Sequence, residues 1–154
     1  MSEITPTIVR YVPKPGSIPA IICDLDGTLA IFDGLRGPYE YEKCVNDLVN
    51  KPIRNLIQDM STVGYEILYV SGREDRGLAG TQKFLRDHDC PDGQLWMRKT
   101  GDYRKDSIIK GEIFDAHIRD VYDIAFVLDD RPVVIRMWQS LGLTTLAVGP
   151  LKEF

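Results

Sequence analysis

Two carboxylates and a hydroxyl follow a short apolar run near the start of the chain. Residues 18–23 are Ile-Pro-Ala-Ile-Ile-Cys, and Asp24, Asp26, Gly27 and Thr28 come after them. Such a run is typical of a buried strand, and open α/β sheets bind ligands at the carboxyl ends of their strands. There Asp24 could attack a phosphorus atom while Asp26 handled the proton of the leaving group. The alternative is a strand that ends in an ordinary Asp-Gly turn.

A second apolar run, over residues 67–70, leads into Ser71, Gly72 and Arg73. A hydroxyl, a flexible amide and a guanidinium could together hold a phosphoryl group. A turn with a surface arginine would have the same residue types. The three residues are therefore candidates for phosphoryl binding, with the turn as the alternative.

A third apolar run, over 124–128, leads into Asp129 and Asp130. Adjacent carboxylates at a buried strand end repel each other unless a cation compensates them. Mg²⁺, which prefers carboxylate and water oxygens, is the cation we expect. Asp130 could instead cap the helix that Pro132 opens, whereas Asp129 has no such alternative.

Lys105 lies at the start of a predicted helix over 103–118. A cation near a helix N-terminus opposes the helix dipole. The position of Lys105 therefore suits a bound anion better than it suits the helix. Basic residues are common in this part of the chain, so Lys105 could also be an ordinary surface lysine.

The elements that position these residues are apolar segments that alternate between strand-like and helix-like patterns. Their alternation predicts an α/β fold, a parallel sheet with helices on both faces. Four prolines in residues 1–19 predict an extended N-terminal arm, before a domain over 20–154, in which 29–50 is largely loop. The predicted strands are 20–23, 67–70, 94–97, 124–128 and 144–148, and the predicted helices are 52–63, 80–88, 103–118 and 133–140.

Composition excludes several classes of protein. The chain has 154 residues, enough for one ordinary domain, and no apolar stretch approaches the ~20 residues of a membrane helix. The net charge of −4 argues against non-specific coating of nucleic acid. Three widely spaced cysteines form neither a disulfide framework nor a zinc site. With no basic-then-apolar leader, we expect a cytoplasmic protein without a membrane partner.

The combination of motifs resembles the haloacid dehalogenase (HAD) superfamily of aspartate-nucleophile phosphatases. DxDGT follows strand one, Ser-Gly follows strand two, a lysine opens a later helix and Asp-Asp follows a further strand. The resemblance implies a Rossmann-like fold, Mg²⁺ and a phosphoaspartyl intermediate. It makes Asp24 the nucleophile and Asp26 the general acid and base, with Ser71 and Lys105 on the phosphoryl oxygens. Its magnesium ligands are the side chain of Asp24, the backbone carbonyl of Asp26, Asp129 and, through a water molecule, Asp130.

Further segments resemble the 3′-phosphatase domain of phage-type polynucleotide kinase/phosphatase. These are Arg36-Gly-Pro-Tyr39, Glu42-Lys-Cys44 with Asp47 and Asn50, Val70-Ser-Gly-Arg-Glu74, Gly101-Asp-Tyr-Arg-Lys-Asp106, Lys110-Gly-Glu-Ile-Phe114, Leu128-Asp-Asp-Arg131 and Met137-Trp138. The resemblance adds Arg36, Arg73 and Asp102 to the expected site, and Thr28 and Gly72 are further candidate substrate contacts. No GxxxxGK[ST] loop occurs, so we expect a phosphatase without the ATP-binding kinase half.

Spacing within the chain leaves no room for a large cap over the site. Asp24 and Ser71 are separated mainly by the predicted helix over 52–63 and by a small flap over 29–41. An open site suits the end of a polymer. The sequence therefore predicts an Mg²⁺-dependent enzyme that removes 3′-phosphates from DNA or RNA ends. The alternatives are a nucleotidase acting on free nucleotides and a non-catalytic module that binds nucleic-acid ends; the oligomeric state is left open.

Overall fold

The computed structural model describes residues 9–32 and 47–149, which form a five-stranded parallel sheet between two layers of helices. Its strands are β1 (Ile18–Cys23), β4 (Glu66–Glu74), β5 (Gly93–Arg98), β6 (Tyr122–Asp129) and β7 (Thr145–Ala147). A separate antiparallel pair consists of β2 (Ala30–Ile31) and β3 (Leu48–Val49). The order in the large sheet is β5-β4-β1-β6-β7, which places β1 at its centre. The predicted parallel α/β sheet is thus confirmed.

Within residues 9–32 and 47–149, four α-helices connect the strands. They are α1 (Lys51–Thr62), α2 (Leu78–Asp87), α3 (Asp106–Ile113) and α4 (Pro132–Ser140), with a 3₁₀ turn (Asp75–Gly77) before α2 and a π-helical turn (Phe114–Ile118) after α3. Proline in the first turn of α1 and of α4 suits a helix start, where no N–H bond is lost. No helix in the described ranges is long and apolar enough to cross a membrane.

Alternate side chains of the central strand enter two separate hydrophobic cores. Ile22 belongs to the core that includes Phe114 and Trp138, from the α3–α4 side of the sheet. Ile21 belongs to the other core, which includes Ile57 of α1. Because successive strand residues point to opposite faces, β1 is apolar on both sides. The two layers hold it rigidly, and the residues that follow its carboxyl end are well positioned.

The N-terminal segment packs against the domain over the part that the structure describes. The Tyr11 side chain is buried and donates a hydrogen bond to the carbonyl of Tyr122, and its oxygen accepts the N–H of Ile124 at 3.2 Å.

The first strand begins two residues earlier than predicted, since Ile18 and Pro19 belong to it. Proline is tolerated there because pairing with β4 starts only at residue 20.

Other predicted boundaries near the site also differ from the structure. Strand β4 continues to Glu74, so Ser71, Gly72 and Arg73 lie within it rather than after it, at an irregularity in its pairing with β5. The helix predicted over 103–118 begins only at Asp106 and ends in the π-helical turn. The loop predicted over 29–50 contains β2 and β3, which were too short to show a pattern.

Candidate active site

Three carboxylates meet at the carboxyl ends of β1 and β6. Asp24 directly follows β1, Asp129 ends β6, and Asp130 comes next. One oxygen from each carboxylate lies within 4.8 Å of the other two. Asp24 and Asp129 are only 5% and 1% exposed, and Asp130 is half-buried. They converge because β1 and β6 are paired neighbours, with Cys23 opposite Leu128.

Lys110 of α3 places its ammonium group between two of these carboxylates. Its Nζ donates to Asp24 Oδ1 at 2.7 Å and to Asp129 Oδ2 at 3.0 Å. Burial by itself would lower the pKa of Lys110, but the Asp129 and Asp24 carboxylates raise it above its ordinary value. Lys110 is therefore a fixed positive charge, only 3% exposed, beside the Asp24 carboxylate.

The Asp129 carboxylate is held by donors on both of its oxygens. Trp138 Nε1 donates to Oδ2 at 3.2 Å, and the backbone N–H groups of Asp130 and Arg131 donate to Oδ1 at 2.9 and 3.2 Å. Arg131 is the N-cap residue of α4 and makes no side-chain capping bond. The alternative role of Asp130 as a helix cap is therefore not seen, because its carboxylate faces Thr28 instead.

The loop after β1 brings Thr28 back over the carboxylates. Thr28 Oγ1 lies 2.9 Å from Asp24 Oδ2 and 3.2 Å from Asp130 Oδ1, so one hydroxyl bridges the two groups. Gly27 makes this turn with a φ of +82°, and a Cβ there would lie 2.1 Å from Asp130 Oδ2. The positive φ favours glycine at 27, and a side chain there would also displace the Asp130 carboxylate.

Among the described residues, the charge of the carboxylate trio is unbalanced. The three carboxylates face one ammonium group from this part of the chain, that of Lys110. Burial, and next the Asp129 carboxylate, raise the pKa of Asp24 well above its ordinary value, and burial also raises the pKa of Asp130. A second cation would relieve this repulsion, and clustered carboxylate oxygens are the donors that Mg²⁺ prefers. The residues that could hold it are Asp24, Asp129 and Asp130.

Asp26 turns away from this trio and pairs with Arg73. Arg73 Nε and Nη2 donate to the two carboxylate oxygens of Asp26 at 2.9 and 2.8 Å, a bidentate pair. The same Nη2 donates to buried Asp47 at 2.8 Å, and Nη1 donates to Thr81 at 3.0 Å. The Arg73 side chain is fully buried, whereas that of Asp26 is 49% exposed. Arg73 therefore fixes the orientation of a carboxylate that substrate can reach.

A second cluster lies against Gly72. The Asp106 carboxylate accepts hydrogen bonds from Arg98 and Arg131, and Arg98 Nε donates to the carbonyl of Gly72 at 2.8 Å. A Cβ on Gly72 would lie 2.5 Å from Asp106 Oδ1. A larger residue at 72 would therefore have to displace the Asp106 carboxylate from its two arginine partners.

These groups line one open cleft of about 1100 Å³. Its lining includes Asp24, Lys110 and Asp129, together with Tyr103 and Lys105 from the loop before α3. Ligand pockets commonly have volumes of about 300–1000 Å³. The cleft therefore has space for considerably more than a phosphate group.

The remaining predicted site residues lie in different settings. Ser71 is 1% exposed, and its Oγ accepts the N–H of Arg73 at 3.1 Å. Lys105 is exposed at the N-cap of α3, and Asp102 lines the cleft with its carboxylate bound by Arg104. Arg36 lies outside the described residues.

The sequence prediction of the site did not include Lys110, Asp47 or Trp138. Lys110 is the buried lysine beside Asp24, whereas Lys105, which was expected there, lies five residues earlier on the surface. One signal was available: Lys110 precedes the apolar residue Phe114 by four residues, so a helix over 103–118 places the two on the same face. A lysine on the apolar face of a helix is buried by packing, so it needs a buried partner of opposite charge. Asp47 and Trp138 lie in segments that resemble the polynucleotide kinase/phosphatase family, but the resemblance assigned neither of them a role in the site.

Comparison with known proteins agrees with this geometry. The family model of the polynucleotide kinase PNKP phosphatase domain, a HAD-type family, matches residues 18–151. A protein of Autographa californica nuclear polyhedrosis virus, described as a bifunctional polynucleotide kinase/RNA ligase, is 32% identical over 140 residues, which are 88% of this chain and 20% of the viral protein.

Solved structures share the fold. Two chains from structures of the Pnkp1/Rnl/Hen1 complex, one titled an RNA repair complex, are 36% identical, with TM-scores of 0.88 and 0.87. The matches cover 96% and 99% of this chain but 48% and 52% of those chains. A class C acid phosphatase from Bacillus anthracis, solved with tungstate, is 20% identical with a TM-score of 0.53 over 74% of this chain and 52% of its own, and shows the fold alone.

This chain thus spans about a fifth of the viral protein and about half of the Pnkp1-complex chains. The matched family covers the whole sheet and every carboxylate of the cleft. The chain therefore belongs to the polynucleotide kinase PNKP phosphatase-domain family of HAD-type phosphatases, and it is a hydrolase of phosphate monoesters.

Proposed function

We propose that this chain removes 3′-phosphates from polynucleotide ends, with Mg²⁺ as cofactor and a phosphoaspartyl intermediate. The observation that carries the proposal is the position of Asp24 in the open cleft, with Lys110 at 2.7 Å and two further carboxylates within 4.8 Å. The polynucleotide substrate is supported by the family and by the names of the relatives. The 3′ position rests on the motif resemblance in the sequence.

In the proposed reaction, Asp24 attacks the phosphorus and the bond to the 3′-oxygen breaks. Asp26, held by Arg73, gives a proton to the leaving oxygen and then takes one from the water that hydrolyses the aspartyl phosphate. Bound Mg²⁺ would lower the repulsion between the carboxylate and the phosphate dianion. Its ligands would be Asp24, Asp129, Asp130 and the backbone carbonyl of Asp26.

Lys110 is the residue that we propose for the phosphoryl group, in place of Lys105. Its ammonium group is already next to the Asp24 oxygens, and it stabilises negative charge on the transferring group without having to move. Ser71, Thr28 and Gly72 complete the proposed phosphoryl contacts. Arg36 and Asp102 stay proposals that rest on the resemblance.

The test measures phosphate release from a 3′-phosphorylated oligonucleotide, in DNA and RNA form, with Mg²⁺ or with EDTA. A 5′-phosphorylated oligonucleotide and 3′- and 5′-mononucleotides are run beside it. Asp24→Asn should abolish release and Asp59→Asn, an exposed residue of α1, should not. The polymer proposal fails if a mononucleotide has the higher kcat/KM.

The intermediate has its own measurement. Wild type mixed with a substrate that carries a radioactive 3′-phosphate and quenched in acid should retain label on the protein. Hydroxylamine, which attacks acyl phosphates, should release that label, and Asp24→Asn should acquire none. An active enzyme that never becomes labelled at short times would count against the intermediate.

A further inference from the structure

Tyr103 is the most exposed large hydrophobic side chain in the part of the chain that the structure describes. It is 86% exposed and lies on the loop over 99–105, between β5 and α3. Among the described residues it has no ring contact and no side-chain hydrogen bond. The same residue lines the cleft that contains Asp24. An aromatic ring is thus presented to solvent at the edge of the active site.

The loop under this ring is held on its inner side. Arg98, which is 9% exposed, donates through Nη1 to the carbonyls of Asp102 and Arg104, the residues on either side of Tyr103. Its Nε donates to the carbonyl of Gly72 in β4. One buried guanidinium therefore fixes the backbone around Tyr103 to the strand that borders the cleft.

The outer side of the loop is held as well. The Arg104 side chain makes bidentate pairs with Asp102, at 3.0 and 2.9 Å, and with Glu112 of α3, at 2.6 and 2.8 Å. Thr100 bonds to Asp75 through its hydroxyl at 2.7 Å and its N–H at 3.1 Å. The exposure of Tyr103 is therefore a property of a braced loop, and a partner would find the ring already in place.

A positive charge accompanies the ring. Lys105 is exposed, lines the same cleft, and has no ion pair among the described residues. An exposed ring beside an unpaired cation, on a rigid support, is the combination with which proteins bind single-stranded nucleic acid. Bases stack on the ring whatever their sequence, and the cation contacts the backbone.

We propose that Tyr103 stacks on a base at the 3′ end of the substrate strand while Lys105 contacts a backbone phosphate. The inference rests on the proposed function and names the substrate contact that would distinguish a polymer from a small phosphate ester. It predicts a preference for single-stranded ends without a preference for base sequence.

The test is a double-mutant cycle between the ring and the base. One substrate is a 3′-phosphorylated hexanucleotide, and the other has abasic sugars at its two 3′-terminal positions. For the normal substrate, Tyr103→Ala should lower kcat/KM about 10-fold, at the low end of what stacking on one base contributes. For the abasic substrate the same substitution should have little effect, and Tyr103→Phe should keep the wild-type ratio between the two substrates.

The contact of Lys105 has a separate readout, the salt dependence of binding. Binding of the hexanucleotide is measured in the Asp24→Asn background at several salt concentrations. Lys105→Gln should reduce the slope of log K against log salt by about 0.7, the value for one phosphate contact on a single strand. Lys99→Gln, an exposed lysine of the same loop outside the cleft lining, should leave the slope unchanged.

Failure of this inference can be told apart from failure of the proposed function. If wild type hydrolyses no oligonucleotide, both fall. If wild type prefers the hexanucleotide but Tyr103→Ala lowers kcat/KM equally for both substrates, or for neither, only the stacking contact falls. Because an exposed side chain contributes little to folding, thermal unfolding of Tyr103→Ala should match wild type and exclude a folding defect.

Discussion

Lys110→Met removes the ammonium group that pairs with both Asp24 and Asp129 while keeping an unbranched side chain. Both carboxylates are nearly inaccessible, at 5% and 1% exposure, so solvent cannot take over the role of the ammonium group. Removing one partner of a buried ion pair costs about 3–5 kcal/mol. We therefore expect the free energy of unfolding to fall by this amount in metal-free buffer.

A second calculation gives a loss of unfolding free energy of similar size. The cheapest relief for two facing carboxylates is to protonate one of them. Relative to the unfolded chain, in which the carboxyl has its ordinary pKa of 3.8, this costs at most about 4 kcal/mol at pH 7, since each pH unit corresponds to about 1.36 kcal/mol. With about 2–4 °C per kcal/mol for a chain of this size, the melting temperature should fall by about 6–20 °C.

The assay is thermal unfolding in EDTA, with phosphate release measured in Mg²⁺. Lys105→Met is the matched comparison, because it loses the same charge at the exposed N-cap of the same helix. Its stability should stay within about 0.5 kcal/mol of wild type, whereas Lys110→Met should lower kcat by at least about 100-fold. If Lys105→Met is the inactive or unstable variant, the assignment of the buried cation to Lys110 is refuted.

Two further predictions concern the turn at Gly27 and the pair at Asp102. Gly27→Ala and Gly64→Ala place a side chain at positive φ, which costs about 1–2 kcal/mol in each case. Only at Gly27 would the Cβ meet Asp130, so only that variant should need more Mg²⁺ for half-maximal activity; an equal requirement in both would contradict the geometry. The Arg104 hydrogen bonds lower the pKa of Asp102 to about 2, so this pair stabilises the fold above pH 3.8 and is lost as pH falls through about 2. NMR titration of the Asp102 carboxyl should show its pKa rise towards 3.8 in Arg104→Gln, and no change there would mean that another group sets it.

Much of the fold was predictable because it is encoded locally. Apolar runs of strand length alternating with amphipathic segments predict parallel strands with helical crossovers. The carboxyl ends of such strands meet at one edge of the sheet, so Asp24 and Asp129 could be brought together without knowledge of any tertiary contact. Local patterns did not predict where each strand and helix ends. Strand β4, for example, continues through an irregularity in its pairing that no sequence pattern marks.

The composition of the site beyond the strand ends was decided by tertiary structure. Lys110 reaches Asp24 across 86 positions of sequence, because the rotation of α3 against the sheet turns that side chain inward and leaves Lys105 on the surface. Trp138 lies in an apolar segment, which by itself predicts only a core residue. Its indole N–H donates to Asp129 because the packing of α4 brings the ring next to that carboxylate.

Sequence by itself therefore determined which carboxylates lie together and on which edge of the sheet they lie, since strand ends and turns follow from near neighbours in the chain. Tertiary structure alone decided which cation faces them and how Arg73 aims Asp26. The physical reason is that strand ends depend on residues close together in the chain, whereas charge pairing in the site joins residues far apart in it. The pairing of a buried charge depends on the distance and orientation between separate elements, and packing of the whole domain sets both.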